Sequence, residues 1–240
     1  MTTLTADSDQ QVQRTPGALP AIHIWRICLA PVQASPQCLE NILTPAEQAR
    51  AARFRFAHDR ARWVRTRGIV RMLLGRYTQC APPEVPLTTG AHGKPGLTPG
   101  FRAGPLHFSW SHTDDLALLA VTEGGEVGVD VERIRPGFDP LLLGRSVFSA
   151  DELACLRNEA LARRKALFFT FWTGREAILK ALGTGFGAAP AEFSVDGLAH
   201  RDTVQTQGMT VRSLPLGGGH AAAVAAFGKD PQICRYDWHD

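Results

Sequence analysis

"GVDVERIRP", residues 128–136, is the stretch from which the rest of the chain is read. Strand alternation sends Val129, Val131 and Arg133 to one face and Asp130 with Glu132 to the other. Two neighbouring carboxylates on a short apolar strand repel each other once water is withdrawn. An edge strand with both acids in solvent would remove the difficulty. So would a divalent cation, for which two carboxylates on one face are hard oxygen ligands.

Working upstream, "TEGGE", residues 122–126, has the composition of a hairpin turn feeding this strand. "LHFSWSH" and "LALLAVT" alternate as two strands around a tight turn at Thr113–Asp115. "APPEVPLTTGAHGKPGLTPG" is turn-rich and predicts a surface loop with short extended pieces. Before it, an arginine-rich helix is expected over about Asp59–Tyr77, with Trp63, Val70, Leu73, Leu74 and Tyr77 as its apolar stripe. "LTPAEQARAARF" opens an earlier helix, with Thr44 as N-cap, Pro45 at the first position and Glu47 completing a capping box. "AIHIWRICLA" begins the ordered chain as a strand, and residues 1–19 read as a disordered tail.

Downstream, residues 148–183 predict a pair of helices or one interrupted helix, with Ser149 and Glu152 as a second capping box. "AEFSVDG", "TVRSLPL" and "AAAVAAF" follow as strands. The expectation is an α+β fold of two similar halves, residues 20–125 and 126–240, with the site between them.

Composition narrows the class. The 240 residues are 44% hydrophobic and 20% charged with a net charge of +3, which is ordinary for a globular protein and does not mark a nucleic-acid binder. No stretch reaches the roughly 18 apolar residues of a membrane helix. Five dispersed cysteines without CxxC spacing point to reduced thiols in the cytoplasm.

Four further stretches carry charge suited to chemistry. In "FWTGREAILKALGTGF", residues 171–186, Glu176 and Lys180 are one helical turn apart and share a face, while Trp172, Ile178, Leu179 and Leu182 supply the packed side. "GKPGL", residues 93–97, and "FSWSH", residues 108–112, offer Lys94 in a turn and His112 at a strand end, both suited to phosphate. Between Arg50 and Tyr77 lie nine arginines, with Asp59 the only acid. Arg62 falls in line with Ile69 and Leu73, so it is expected to point inward onto a carboxylate or a ligand phosphate. Arg65 and Arg76 are expected on the outer side. A metal site, a lysine after it and anion-binding groups before it suit phosphoryl or pyrophosphate chemistry.

These motifs, in this order, resemble those of the Sfp-type 4′-phosphopantetheinyl transferases. "GVDVERIRP" and "FWTGREAILKALGTGF" carry the likeness, with "GKPGL", "FSWSH" and "ARFRFAHDRARWVRTRGIVR" before them. The resemblance implies an enzyme that moves the phosphopantetheine arm of coenzyme A onto a serine of an apo carrier protein and releases 3′,5′-ADP. It implies Mg²⁺, with Mn²⁺ as a substitute, on Asp130, Glu132 and Glu176. Glu176 becomes a candidate general base and Lys180 a pyrophosphate contact. Lys94 and Pro95 match the turn at the nucleotide end, Ser111 and His112 the pair near the 3′-phosphate, and Arg50 and Arg62 further phosphate contacts. Two departures stand out: Arg175 replaces a lysine usual before the glutamate, and Ser109 stands where asparagine is common.

The resemblance implies a carrier surface in "LGTGFGAAPAEF", with Phe186 and Phe193 exposed or half exposed; the alternative is that Phe186 closes the core beneath the glycine turn. Duplicated halves predict a monomer, and neither nucleic acid nor membrane is an expected partner. A metal-dependent nuclease would also use an acidic pair and a lysine, though it leaves Lys94 and His112 without a task. A nucleic-acid or acidic-partner binding module would use the arginine helix but leaves the paired carboxylates unexplained.

Overall fold

A computed structural model describes residues 21–30, 36–101, 104–184 and 193–239. The chain begins with β1 (Ile22–Cys28), the short α1 (Pro36–Glu40), α2 (Pro45–Ala51) and the long α3 (Ala57–Thr78). A small hairpin, β2 (Leu87–Thr89) and β3 (Pro95–Leu97), precedes β4 (His107–Thr113) and β5 (Leu116–Thr122). The quoted strand is β6 (Val127–Arg133), followed by α4 (Pro140–Gly144), α5 (Ala150–Asn158) and α6 (Leu161–Leu182). Strands β7 (Thr203–Thr206), β8 (Met209–Ser213), β9 (His220–Phe227) and β10 (Ile233–Trp238) close the described chain.

Local rules account for the helices. Thr44 accepts from the Glu47 amide while the Glu47 carboxylate accepts from Thr44 N, and Ser149 and Glu152 repeat the arrangement. Both capping boxes form where the sequence places them. The arginine-rich helix forms as α3, and the downstream region is a pair of helices, α5 and α6.

Two four-stranded sheets organise the molecule, in the orders β10-β1-β5-β4 and β6-β9-β8-β7. Ile22, Ile24, Leu118 and Ala120 of the first pack with Val127, Val129, Val131 and Val224 of the second, so the sheets share one core. On its other face the first sheet buries Trp25, Ile27, Phe108 and Leu119 with Ile69, Val70, Leu73 and Leu74 of α3. The second buries Val211, Ala223 and Ala225 with Phe168, Phe171, Ala177 and Ile178 of α6. This is the expected α+β pair of halves.

Several local expectations change. "TEGGE" is not a hairpin turn: β5 pairs with β1 and β4, β6 pairs with β9, and the segment carries the chain from one sheet to the other. The described part of "AEFSVDG" is no strand; residues 196–199 make a 3-10 turn. Phe193 and Val195 alternate in burial as a strand would, but the 3-10 turn follows at once and brings Leu198 into the same core beside α6. Strand β10, unexpected from the sequence, lies parallel to β1. The last strand of the described chain thus completes the first sheet, beside the first strand. The tail at residues 1–19 and Phe186 fall outside the described residues.

The close approach of β6 to α6 explains one glycine. A Cβ on Gly128 would stand 1.9 Å from the Ala177 carbonyl oxygen and 2.5 Å from the Ala181 amide nitrogen. No side chain fits, so strand and helix touch backbone to backbone, and residues on either side of that contact face each other at short range.

Candidate active site

Beside the Gly128 contact lies a cleft of about 380 Å³ lined by Trp110, Ser111, His112, Asp130, Glu132, Trp172, Glu176 and Lys180. Strand β4 supplies the first three, β6 the acidic pair, and α6 the rest. Asp130, Glu132, Glu176, Lys180, Ser111 and His112 were each singled out from the sequence, and the fold brings all six together. Trp110 was missed as a lining residue. Trp172 was assigned to the packed side of α6; it stacks on Phe168 at 6.3 Å between centroids and also faces the cleft. Leu182, expected in that packed side, is 37% exposed.

Asp130 is the buried centre of the site at 3% exposure. Its Oδ1 accepts from Lys180 Nζ at 2.7 Å and from the Ser111 hydroxyl at 2.7 Å. Lys180 also donates to the Val129 carbonyl at 3.2 Å. The other carboxylate oxygen of Asp130, Oδ2, is buried with no hydrogen-bond partner among the described residues. Glu132 accepts from the Thr113 hydroxyl at 3.4 Å.

The electrostatics record crowding of like charge. Burial, then the charge of Asp130, pushes the Glu132 carboxyl above its ordinary value, against Arg135 and Lys180. Burial, then Asp130, raises Glu176 to about 7, with Lys180 opposing and Glu132 adding to the rise. Desolvation of its ring, then the charges of Lys180 and Arg62, lowers the pKa of His112. Three carboxylates thus share one cleft that Lys180 also lines.

No three metal-ligating side chains are gathered around a common point among the described residues. The donor set nevertheless fits a hard divalent cation: it consists of carboxylate oxygens, one of them, on Asp130, buried and unpartnered, and burial followed by the charge of Asp130 raises the carboxyls of Glu132 and Glu176.

Strands β4 and β6 lie side by side without a backbone ladder. Hydroxyls join them instead: Ser109 accepts from Val129 N at 3.3 Å and Thr113 from Arg133 N at 3.3 Å, while Ser111 reaches Asp130. Ser109, where asparagine was expected, is therefore part of this seam and is 4% exposed.

Residues 126–225 match the 4′-phosphopantetheinyl transferase superfamily, and residues 29–124 match the 4′-phosphopantetheinyl transferase N-terminal family. The chain is 36% identical over 220 residues to the 4′-phosphopantetheinyl transferase HetI of Nostoc sp., covering 90% of this chain and 92% of that one. This chain belongs to the 4′-phosphopantetheinyl transferase superfamily. It is also 36% identical over 142 residues to the 4′-phosphopantetheinyl transferase AcpT of Escherichia coli, 59% of this chain and 66% of that one. A phosphopantetheinyl transferase of Thraustochytrium sp. is 29% identical over 226 residues, 85% and 78% respectively. The expected enzyme class and its reaction, transfer of phosphopantetheine to carrier proteins, stand with this membership.

Within this transferase the remaining candidates are more dispersed. Arg62 is not in the core: it is half-buried and donates to Asp115 at 2.9 Å, close enough for its charge to act on His112. Arg50 is exposed and sits over the Trp63 ring at 5.6 Å, outside the cleft lining. Lys94 donates to Glu126 and, at 2.8 Å, to the Ala181 carbonyl at the end of α6.

Of the two arginines expected on the outer side, one contradicts that position. Arg65, expected outside, is 8% exposed and donates to the Cys28 carbonyl at 3.0 Å. Arg76 is on the outer side as expected, over Trp238 at 5.1 Å. Arg175 is buried and its Nε bonds both oxygens of Glu152, at 3.1 and 2.9 Å, while another guanidinium nitrogen reaches the Phe193 carbonyl at 3.1 Å. Phe193, expected exposed or half exposed, is 4% exposed, so it belongs to the core rather than to a carrier surface.

Proposed function

We propose that this transferase takes the phosphopantetheine arm from coenzyme A and attaches it to a serine of an apo carrier protein, with Mg²⁺ held by Asp130, Glu132 and Glu176. The observation that carries the reading is the buried, unpartnered Asp130 Oδ2 beside a lysine and two carboxylates of raised pKa. Bound there, the ion supplies positive charge to the pyrophosphate and offsets the carboxylate repulsion, a task that Mn²⁺ also performs.

The residues divide the remaining work. Glu176, deprotonated, accepts the proton of the carrier serine hydroxyl, whose oxygen bonds to the β-phosphorus of coenzyme A. The pyrophosphate P–O bond breaks, and 3′,5′-ADP leaves with the electron pair. Lys180 exchanges part of its contact with Asp130 for a pyrophosphate oxygen and neutralises charge that grows in the transition state. Ser111 and His112 receive the 3′-phosphate, with Arg62 adding positive charge behind them. The Lys94–Pro95 turn borders the nucleotide end, where the ammonium has a third N–H beyond those given to Glu126 and Ala181. Arg50 remains a more distant phosphate contact.

One chain supplies β4, β6 and α6, so we propose a monomer as the working unit. Its setting is the cytoplasm, where the five free cysteines stay reduced.

Mass spectrometry of apo carriers incubated with coenzyme A tests the reading. The expected result is a carrier heavier by one phosphopantetheine in Mg²⁺ or Mn²⁺, with no gain in EDTA. Gain undiminished by EDTA would remove the metal. Equal use of dephospho-coenzyme A would remove the 3′-phosphate site at Ser111 and His112.

A further inference from the structure

Glu126, the last residue of the "TEGGE" connection, lies immediately before β6 and does not line the cleft. Its two carboxylate oxygens hold different elements: Oε2 accepts from Lys94, just before β3, and Oε1 pairs with His107 Nδ1, the first residue of β4, at 3.1 Å. Lys94 in turn donates to the Ala181 carbonyl. That carbonyl belongs to the last turn of α6, where the helix leaves its carbonyls without intrahelical partners and where a cation is favoured. Four elements therefore meet at one corner: the β2–β3 hairpin, the start of β4, the start of β6 and the end of α6.

The corner matters because of what lies on either side of it. Gly128, two residues after Glu126, is the point where β6 touches α6 backbone to backbone. Asp130 follows two residues later, and Lys180 immediately precedes Ala181. The link Glu126–Lys94–Ala181 thus spans the same strand–helix pair as Asp130–Lys180, on the opposite side of the Gly128 contact. Gly183 adds a constraint. It caps α6 at φ +69°, and a Cβ there would come 3.1 Å from Lys94 Cδ, so the lysine stem is packed against the helix stop.

Glu126 is well suited to the task. Burial alone would raise its carboxyl, but the hydrogen bond and charge of Lys94, followed by the charge of His107, hold it below its ordinary value. It stays ionised when Lys94 needs an anion.

We propose that Glu126 is a positioning residue for the transfer site: by fixing Lys94 on the last turn of α6, it sets how Glu176 and Lys180 stand toward Asp130. The catalytic consequence rests on the transferase reading above, whereas the mechanical consequence does not. Glu126→Gln keeps the shape and removes the charge. In the full-length enzyme it is expected to speed amide exchange across residues 177–184 while α5 and the first sheet are unchanged. It is also expected to lower kcat about tenfold, the size of a sub-ångström misplacement, with a smaller change in KM for coenzyme A. Glu126→Asp, which retains the anion, is expected to restore a large part of both.

Unchanged exchange and unchanged kcat would reduce Glu126 to a surface ion pair and overturn the proposal. A lower KM for coenzyme A at unchanged kcat would also overturn it, because Glu126 would then only compete with phosphate for Lys94. So would a higher KM with unchanged exchange, which would make Glu126 a nucleotide contact. Exchange needs no substrate, so an unmutated protein that transferred nothing to any carrier would refute the transferase reading and leave the exchange result to decide the link.

Discussion

In the first half, Thr44 and Glu47 form a capping box on α2, and the 22-residue α3 follows. In the second, Ser149 and Glu152 form a capping box on α5, and the 22-residue α6 follows. Arg71 stands in α3 where Arg175 stands in α6, counting from Ala57 and from Leu161. Each is buried and donates Nε to its capping-box glutamate, Arg71 at 2.7 Å and Arg175 at 2.9 Å. The strands correspond as well, Trp25 in β1 matching Asp130 in β6, and Ile27 matching Glu132. In the same helical count Met72 matches Glu176 and Arg76 matches Lys180. Where the first half packs Trp25 and Ile27 against α3, the second directs carboxylates at α6. The arginine clamp is thus common architecture, and the chemistry comes from replacing an apolar contact between strand and helix with charged groups.

The largest effect is expected where the halves differ most. Glu176→Gln removes the proposed base and is expected to lower transfer by about 10²–10⁴-fold with the fold retained. Met72→Leu, at the matching place, is expected to leave transfer intact. Undiminished transfer by folded Glu176→Gln would erase that distinction.

The same variant separates the halves by pH. In metal-free protein Glu176 titrates near 7, against an ordinary value of 4.5. Between those values the native state keeps a proton that the unfolded chain has lost, so stability falls as pH rises through the window. Urea unfolding in EDTA at about pH 5 and about pH 7.5 is expected to show this fall, and Glu176→Gln to reduce it. An identical pH response in both proteins would mean that Glu176 is solvated like any surface glutamate.

The sequence made local things legible. Capping boxes, the long helices, strand alternation in β6 and the facing of Glu176 with Lys180 all follow from residues a few positions apart, and all formed. What it hid depends on distant partners. Arg71 and Arg175 are buried because Glu47 and Glu152 lie across the packing, and nothing on their own helices reveals it. Arg65 read as an outer residue because its acceptor, the Cys28 carbonyl, belongs to β1. Strand β10 depends on a parallel pairing with the first strand of the chain, which leaves no local signal. "TEGGE" has the composition of a hairpin turn, but the apolar faces of β5 and β6 are spent on a core between sheets.

An effect on stability rather than on transfer is expected from the clamps, and an unequal one. Arg175→Met leaves Glu152, fully buried, without the guanidinium that holds both its oxygens, at an expected cost of about 3–5 kcal/mol. Arg71→Met is expected to cost less, because Glu47 is 8% exposed and keeps Arg67 at 2.5 Å. Arg175→Lys restores charge without the planar fork and should fall between Arg175→Met and the unmutated protein. Chemical denaturation of the three variants measures the order. Equal costs for Arg71→Met and Arg175→Met would mean that Arg67 does not share the charge of Glu47.

The smallest effect concerns how the two sheets close their edges. The edge of β1 away from β5 is covered by β10 through a regular parallel ladder, whereas β6 meets β4 through the hydroxyls of Ser109, Ser111 and Thr113. Ser109 is the clearest test because its bond is to a backbone amide, not to a catalytic carboxylate. Ser109→Ala leaves the Val129 N–H without that acceptor, and a buried donor so exposed to an apolar neighbour costs about 1 kcal/mol or somewhat more. Kinetics with coenzyme A should change little, since the serine faces the seam and does not line the cleft. Ser109→Asn, which puts a carbonyl oxygen in the same place, should recover the stability if the larger side chain fits. A raised KM for coenzyme A in Ser109→Ala at unchanged stability would move Ser109 from the seam to the substrate. The β4–β6 junction would then be held by Thr113 and Ser111 alone, and the contrast between a laddered edge and a hydroxyl-joined one would rest on residues that also serve the carboxylates.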